Sequence, residues 1–274
     1  MNYQVDRRTI SPNISDKYMY VIGFLGGLGI LLLGSLFFIL PLIFIGGVSD
    51  NLEDMTEKIY EFQAYSACCA ELLGIALSVI FFRKVLVKDF FEFLKSWPKI
   101  ILIAIVSAVL VYLSGYLFEY IYELFNIQSS SSNQETIELA LFGKGKIIMI
   151  LQVALIAPIF EELVFRKFCF GFLRESKLNR VLSFFIVAFI FALIHCSSED
   201  FFKIDAYVYL LNYFALSAIL CASYVLAKDN IFSSILVHMI NNILSLSNLE
   251  YSQNTKVIII VFDEIDKSLK LLTI

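Results

Sequence analysis

Two histidines, His195 and His238, are the only ones in the chain, and each sits in an apolar segment: FIFALIH and ILVHMINN. Upstream lies a carboxylate pair, Glu161 and Glu162, in PIFEELVFR, with Arg166 four residues after Glu162. Such groups are expensive there. A charged residue near the centre of a bilayer costs at least about 2.5–3.5 kcal/mol, and ionisable residues usually face a bundle interior or a water-filled cavity. Glu161, Glu162, Arg166, His195, His238 and Asn242 therefore read as one buried polar site, which points to catalysis inside a membrane.

Spacing divides the work among these residues. Adjacent helical positions project about 100° apart, so Glu161 and Glu162 do not share one task. Glu162 and Arg166 have the favourable i,i+4 order for an ion pair, which assigns them to shaping the site. Glu161 is left as the free carboxylate, and desolvation would suit it to act as a general base. Phe191 and His195 fall on one helical face, as do His238 and Asn242. An imidazole can take a proton or donate a hydrogen bond, and the Asn242 amide can donate beside it. Together they could position a water and stabilise an oxyanion. Glu161, His195 and His238 are also a candidate Zn2+ site, since one carboxylate and two imidazoles suit zinc with an open position. Both readings stay open on the residues alone. Pro158, about one turn before the pair, removes a backbone donor and is expected to bend the helix.

These side chains need an apolar scaffold, and composition supplies one. The 274 residues are 59% hydrophobic and 17% charged, with a mean hydropathy of +0.80; ordinary soluble domains carry about 25% charged residues. The expected fold is all-α, a polytopic bundle of transmembrane helices forming a single integral membrane domain over residues 1–274. A bilayer core needs about 20 apolar residues per helix. The candidates run 18–48, 63–82, 100–122, 146–170, 181–195, 206–227 and 231–246. A short eighth, 256–262, crosses only if the helix continues into DEIDKSLKLLTI. The first is long and contains Pro41, which predicts a tilt or kink. It reads as a retained helix, because no small-residue cleavage pattern ends it.

Basic residues orient the array. Arg7, Arg8 and Lys17 precede the first span, Arg83, Lys84, Lys88, Lys95 and Lys99 follow the second, and Lys167, Arg174, Lys177 and Arg180 follow the fourth. These are alternate loops, so the N terminus is expected in the cytoplasm of a multi-pass cell-membrane protein. Lys144 and Lys146 run against the bias. Residues 85–99 interleave aromatic and basic side chains, which suits an interfacial segment with Trp97 at headgroup level. The run ETIELALFGKG before the fourth span has helical composition. At about 1.5 Å per residue, Glu161 lies about 14 Å and His238 about 11 Å from the cytoplasmic ends of their spans, whereas His195 looks deeper.

The five cysteines show no CxxC spacing and read as core residues, Cys196 beside His195 included. A net charge of −4 without a basic patch argues against a nucleic-acid partner. There is no HExxH, no GxGD-type aspartate pair, and no serine in a nucleophile-like glycine setting.

The residues 161–166, 191–195 and 238–242 match EExxxR, FxxxH and HxxxN, in that order. In this the chain resembles bacterial members of the CAAX protease and bacteriocin-processing (CPBP, or Abi) family, which includes the type II CAAX prenyl endopeptidases. The resemblance implies an intramembrane protease with its catalytic core over residues 146–247. By that analogy Glu161 and His195 activate water, His238 and Asn242 stabilise the oxyanion, and Glu162, Arg166 and Phe191 support the site. The family has been described both as metal-dependent and as glutamate-type. Its expected partners are the lipid bilayer and a membrane protein or peptide substrate, cleaved in the cytoplasmic half of the bilayer. The competing readings are a non-catalytic bacteriocin-immunity or sensor-regulating protein, and a proton-relaying transporter. A transporter would more often show internal repeats or paired broken helices, and neither is visible.

Overall fold

The computed structural model describes residues 16–34, 36, 40, 52–128, 130–141 and 145–251. Pro41, the basic residues Arg7 and Arg8, and the eighth candidate span at 256–262 lie outside the described residues. Among the described residues every regular element is helical. Helix α1, Asp16–Gly29, runs on as a π turn over Ile30–Gly34. Then come α2, Leu52–Phe125; α3, Ser132–Ala140; α4, Lys146–Glu175; α5, Arg180–His195; α6, Ile204–Leu226; and α7, Ile231–Tyr251. Three stretches, Lys58–Phe125, Lys146–Glu175 and Ile204–Leu226, are long and apolar enough to cross a membrane. Tyr18–Gly34, Arg180–His195 and Ile231–Ser247 are shorter apolar helices.

Helix α2 is not one rod. Its backbone leaves helical geometry at Phe82 (φ −110°, ψ 15°) and at Ser96 (φ −128°, ψ 18°). Pro98 follows the second break at the start of the next segment, where a missing N–H costs little. The first arm follows α4: Gly74 abuts Phe160, and Phe82 packs on Phe168 with centroids 4.3 Å apart. The second arm returns along α6. Ala104, Ala108 and Val111 pack with Leu220, and the Tyr122 hydroxyl accepts from Asn212 Nδ2 at 2.8 Å. The expected second and third spans are thus two opposed arms, joined by the aromatic and basic segment in which Trp97 is exposed.

Polar clusters mark the two ends of the bundle. At one, Lys167 Nζ lies 2.6 Å from Asp89 Oδ2, Asn230 Nδ2 donates to the Asp89 carbonyl, and Arg180 pairs with Asp229. At the other, Ser131 caps α3, Ser132 N–H donates to Glu199, and the Tyr209 hydroxyl donates to the Gln128 carbonyl. The expected helix before the fourth span is therefore present as α3, and it is stitched to the α5–α6 turn.

Between the ends lies an aromatic core. Phe160, Phe165, Phe168, Phe170 and Phe191 are essentially inaccessible. Close helix approach depends on small residues, because lipid supplies no hydrophobic drive between helices: a Cβ at Gly74 would overlap the Phe160 ring, and one at Gly27 would overlap Val164. Leu102, Leu113, Leu117 and Leu124 stay exposed on the returning arm, as a lipid-facing surface requires.

Candidate active site

Helix α4 carries the carboxylates on a backbone that is only partly α. Gln152–Ile156 and Leu163–Cys169 are π-helical, and the α segment Ala157–Glu162 lies between them. Such bulges insert extra residues into a helix and are frequent at functional sites. Pro158 has no N–H to offer the carbonyl of Val153, five residues back in the π register. That carbonyl accepts from Asn242 Nδ2 at 2.8 Å, so α7 supplies the missing donor. The amide is held in turn by Asn241 Nδ2, which donates to Asn242 Oδ1 at 3.1 Å. Where a bend was expected at Pro158, the structure has a π turn just before it.

The two carboxylates diverge as their adjacency requires. Glu162 and Arg166 are fully buried, and Arg166 Nη1 donates to Glu162 Oε1 at 2.9 Å. Arg166 Nη2 also donates to Ser217 Oγ at 2.7 Å and to the Ser217 carbonyl. Its guanidinium lies 4.8 Å from the centroid of the Phe191 ring. Glu162 Oε1 accepts as well from His238 Nδ1 at 2.9 Å. One buried oxygen thus ties α4 to α7, while the arginine ties α4 to α6.

Glu161 turns the other way. Its Oε2 stands 3.5 Å from His195 Nε2 and 3.8 Å from His238 Nε2, and has no hydrogen-bond partner among the described residues. Both imidazoles are oriented through their other nitrogen. His195 Nδ1 faces the Phe191 carbonyl at 3.0 Å, and His238 Nδ1 faces Glu162. Carbonyl and carboxylate oxygens only accept, so each Nδ1 carries a proton and each ring presents its Nε2 toward Glu161. Glu161 Oε2 and the two Nε2 atoms thus converge on one point of the cavity, where a water or a polar substrate atom can bridge them. The His195 ring is clamped, stacked on Phe191 with centroids 4.1 Å apart and packed on Tyr213 at 5.0 Å.

The donor types suit zinc, but among the described residues no group of three or more His, Cys, Asp or Glu side chains is placed to hold a metal ion. The steps open to these side chains are proton transfers and the ordering of a water molecule. All five cysteines are free; Cys169, Cys196 and Cys221 are buried, as a reading as core residues requires, whereas Cys68 is half-buried and Cys69 is exposed, which corrects that reading for the adjacent pair.

Glu161, His195, His238 and Asn242 line a cavity of about 990 Å3 that extends to Ser131, Asn133 and Glu138 at the α3 end. The cavity thus reaches the α3 end of the bundle, opposite the Lys167–Asp89 end. Helix α4 continues to Glu175, beyond the expected end at 170, which puts Glu161 about 21 Å from that end, close to the about 22 Å of His195 from Arg180, whereas His238 stays about 11 Å from Ile231, so α7 starts deeper in the bundle than those two ends. Glu71 and Gln152 also line the cavity and were not singled out in the sequence. Gln152 Nε2 bridges both Glu71 oxygens at 2.9 and 3.0 Å. A lone carboxylate inside the apolar run 63–82 was the available signal, by the same desolvation argument that picked out Glu161.

Residues 143–244 match the family model described as type II CAAX prenyl endopeptidase Rce1-like. Over 121 residues the chain is 31% identical to the membrane-embedded CAAX protease MroQ of Staphylococcus aureus (strain USA300), a match covering 44% of this chain and 46% of that protein. The chain thus spans about half the length of this curated relative. No solved structure matches. The similarity to CAAX proteases falls on the part of the chain that builds the buried Glu and His cluster, in an all-α membrane protein.

Proposed function

We propose that the chain is an intramembrane endopeptidase of the CAAX protease and bacteriocin-processing type, hydrolysing a peptide bond of a membrane protein or peptide. The observation that carries this reading is the convergence of Glu161 Oε2 with the Nε2 atoms of His195 and His238 at 3.5 and 3.8 Å. A water held among them donates toward Glu161 and His195, and its oxygen attacks the substrate carbonyl as Glu161 takes the proton. The C–N bond then breaks, and the same proton passes to the leaving amine. His238, when protonated beside Glu162, donates from Nε2 to the oxyanion. An amide nitrogen has two hydrogens, so Asn242 keeps one N–H for the oxyanion after donating the other to Val153. Glu162, Arg166 and Phe191 are positioning residues.

The chain crosses the cell membrane seven times: α1, the two arms of α2, and α4 to α7. An eighth crossing would fall at 256–262. With the N terminus in the cytoplasm, the cavity mouth faces the opposite side.

The test is cleavage of a membrane-peptide library by purified wild-type and Glu161→Ala protein in detergent, with and without a strong chelator. Cleavage by wild type alone, persisting in chelator, is the expected result. Chelator-sensitive cleavage would overturn the metal-free mechanism. Turnover by neither protein would favour the immunity or sensor-regulating reading.

A further inference from the structure

The cavity wall has a charge bias that the hydrolytic chemistry does not use. Besides Glu161, three carboxylates line it, Glu71, Glu119 and Glu138, and no lysine or arginine does so among the described residues. Glu71 is the unusual member. It is only 7% exposed, and its one hydrogen-bonding group among the described residues is the neutral Gln152 amide, shared between both oxygens. A buried carboxylate is normally paired with a cation or well supplied with donors. Glu162 meets that rule through Arg166; Glu71 does not. The nearby Glu161 Oε2 is likewise buried and without a hydrogen-bond partner among the described residues.

Position makes Glu71 useful to a substrate. Gly74 abuts Phe160, the residue before Glu161. Glu71 is three residues earlier, about 4.5 Å along the same helix, on the side of the α3 mouth. An extended peptide advances about 3.3 Å per residue. A chain entering from the mouth with its scissile carbonyl at Glu161 therefore brings a side chain one to three residues away beside Glu71.

Resting on the endopeptidase reading, we propose that Glu71, held by Gln152, is a specificity residue that selects a substrate with a lysine or arginine side chain within three residues of the cleaved bond. Glu119 and Glu138 draw the same cation toward the mouth. Tyr112 and Tyr116, whose hydroxyls lie 2.7 Å apart in the wall, supply ring faces along the way.

The experiment uses pairs of apolar, membrane-partitioning peptides that differ only by lysine or norleucine at each of the three positions on either side of the cleaved bond. Full-length wild type is expected to show a lysine-to-norleucine ratio in kcat/KM of at least about tenfold at one position, and Glu71→Gln a ratio near one. No lysine preference in wild type, or a preference that survives Glu71→Gln, overturns the proposal. Binding of the same peptides to Glu161→Ala protein, with and without Glu71→Gln, is measured in parallel. Glu71-dependent lysine binding without any turnover would sink the endopeptidase reading and leave the cationic subsite standing; binding indifferent to Glu71 overturns the subsite itself.

Discussion

Asn242 donates from its side chain to the carbonyl of Val153, 89 positions away in the sequence, at 2.8 Å. The π register of α4 leaves that carbonyl facing Pro158, which has no N–H. Asn242 and Pro158 are therefore coupled through a backbone oxygen that neither contains. Asn242→Ala should cost about 1 kcal/mol of stability in the presence of Pro158 and clearly less in a Pro158→Ala background. Thermal unfolding of the four proteins in one detergent gives the cycle; equal losses in both backgrounds would remove the coupling.

Arg166 and Glu162 should behave differently from Glu161. Truncating one partner of a buried ion pair leaves the other uncompensated, typically at about 3–5 kcal/mol. Arg166→Ala is expected to reduce accumulation in membranes sharply, and Arg166→Met with Glu162→Leu to recover much of it. Quantitative immunoblotting of membrane fractions reads both.

Glu161→Gln and His195→Gln should leave the thermal midpoint within a few degrees, since both replacements keep most of the side-chain volume and Glu161 Oε2 has no hydrogen-bond partner among the described residues. Peptide cleavage should fall about 10²–10⁴-fold, the usual contribution of a positioned acid–base group. A matching drop in stability would reassign both residues to the scaffold.

Gly74→Val should push the Phe160 ring off the first arm of α2 and cost about 1–3 kcal/mol, as overpacking generally does. Combining it with Phe160→Ala, which opens space at that contact, should be less damaging than adding the two single effects. Failure of the double variant to recover would mean that the overlap is relieved elsewhere.

Sidedness can be checked with single cysteines. Phe202→Cys, at a fully exposed position in the α5–α6 turn, should react in intact cells with a membrane-impermeant thiol reagent. Lys177→Cys, in the α4–α5 turn, should react only after permeabilisation. The reverse pattern would invert the proposed orientation and put the cavity mouth in the cytoplasm.

Much of the candidate site was legible because charge is so costly in an apolar segment that each ionisable residue announces itself. The i,i+4 pairing of Glu162 with Arg166 and the divergence of Glu161 follow from helical geometry alone. Asn242 was legible as a polar neighbour of His238, but its bond to Val153 was not, because a π turn leaves no mark in hydrophobic periodicity. Glu71 was passed over although it satisfied the same criterion, since it belongs to no spaced motif. The two arms of α2 were visible as separate apolar runs. Their junction was not, because a kink at Phe82 has no proline or glycine to signal it, and Pro98 marks only the second break.

The two π segments flanking the carboxylates make the site sensitive to residue count as well as to residue type. Each carries surplus backbone, so removing one residue inside it, such as Ala154, would let α4 close to an α register while the side chains beyond keep their faces. A deletion in the α segment between them, at Ile159, has no such slack: it turns the residues that follow by about 100° and takes Glu161 out of the cavity with every motif side chain still present.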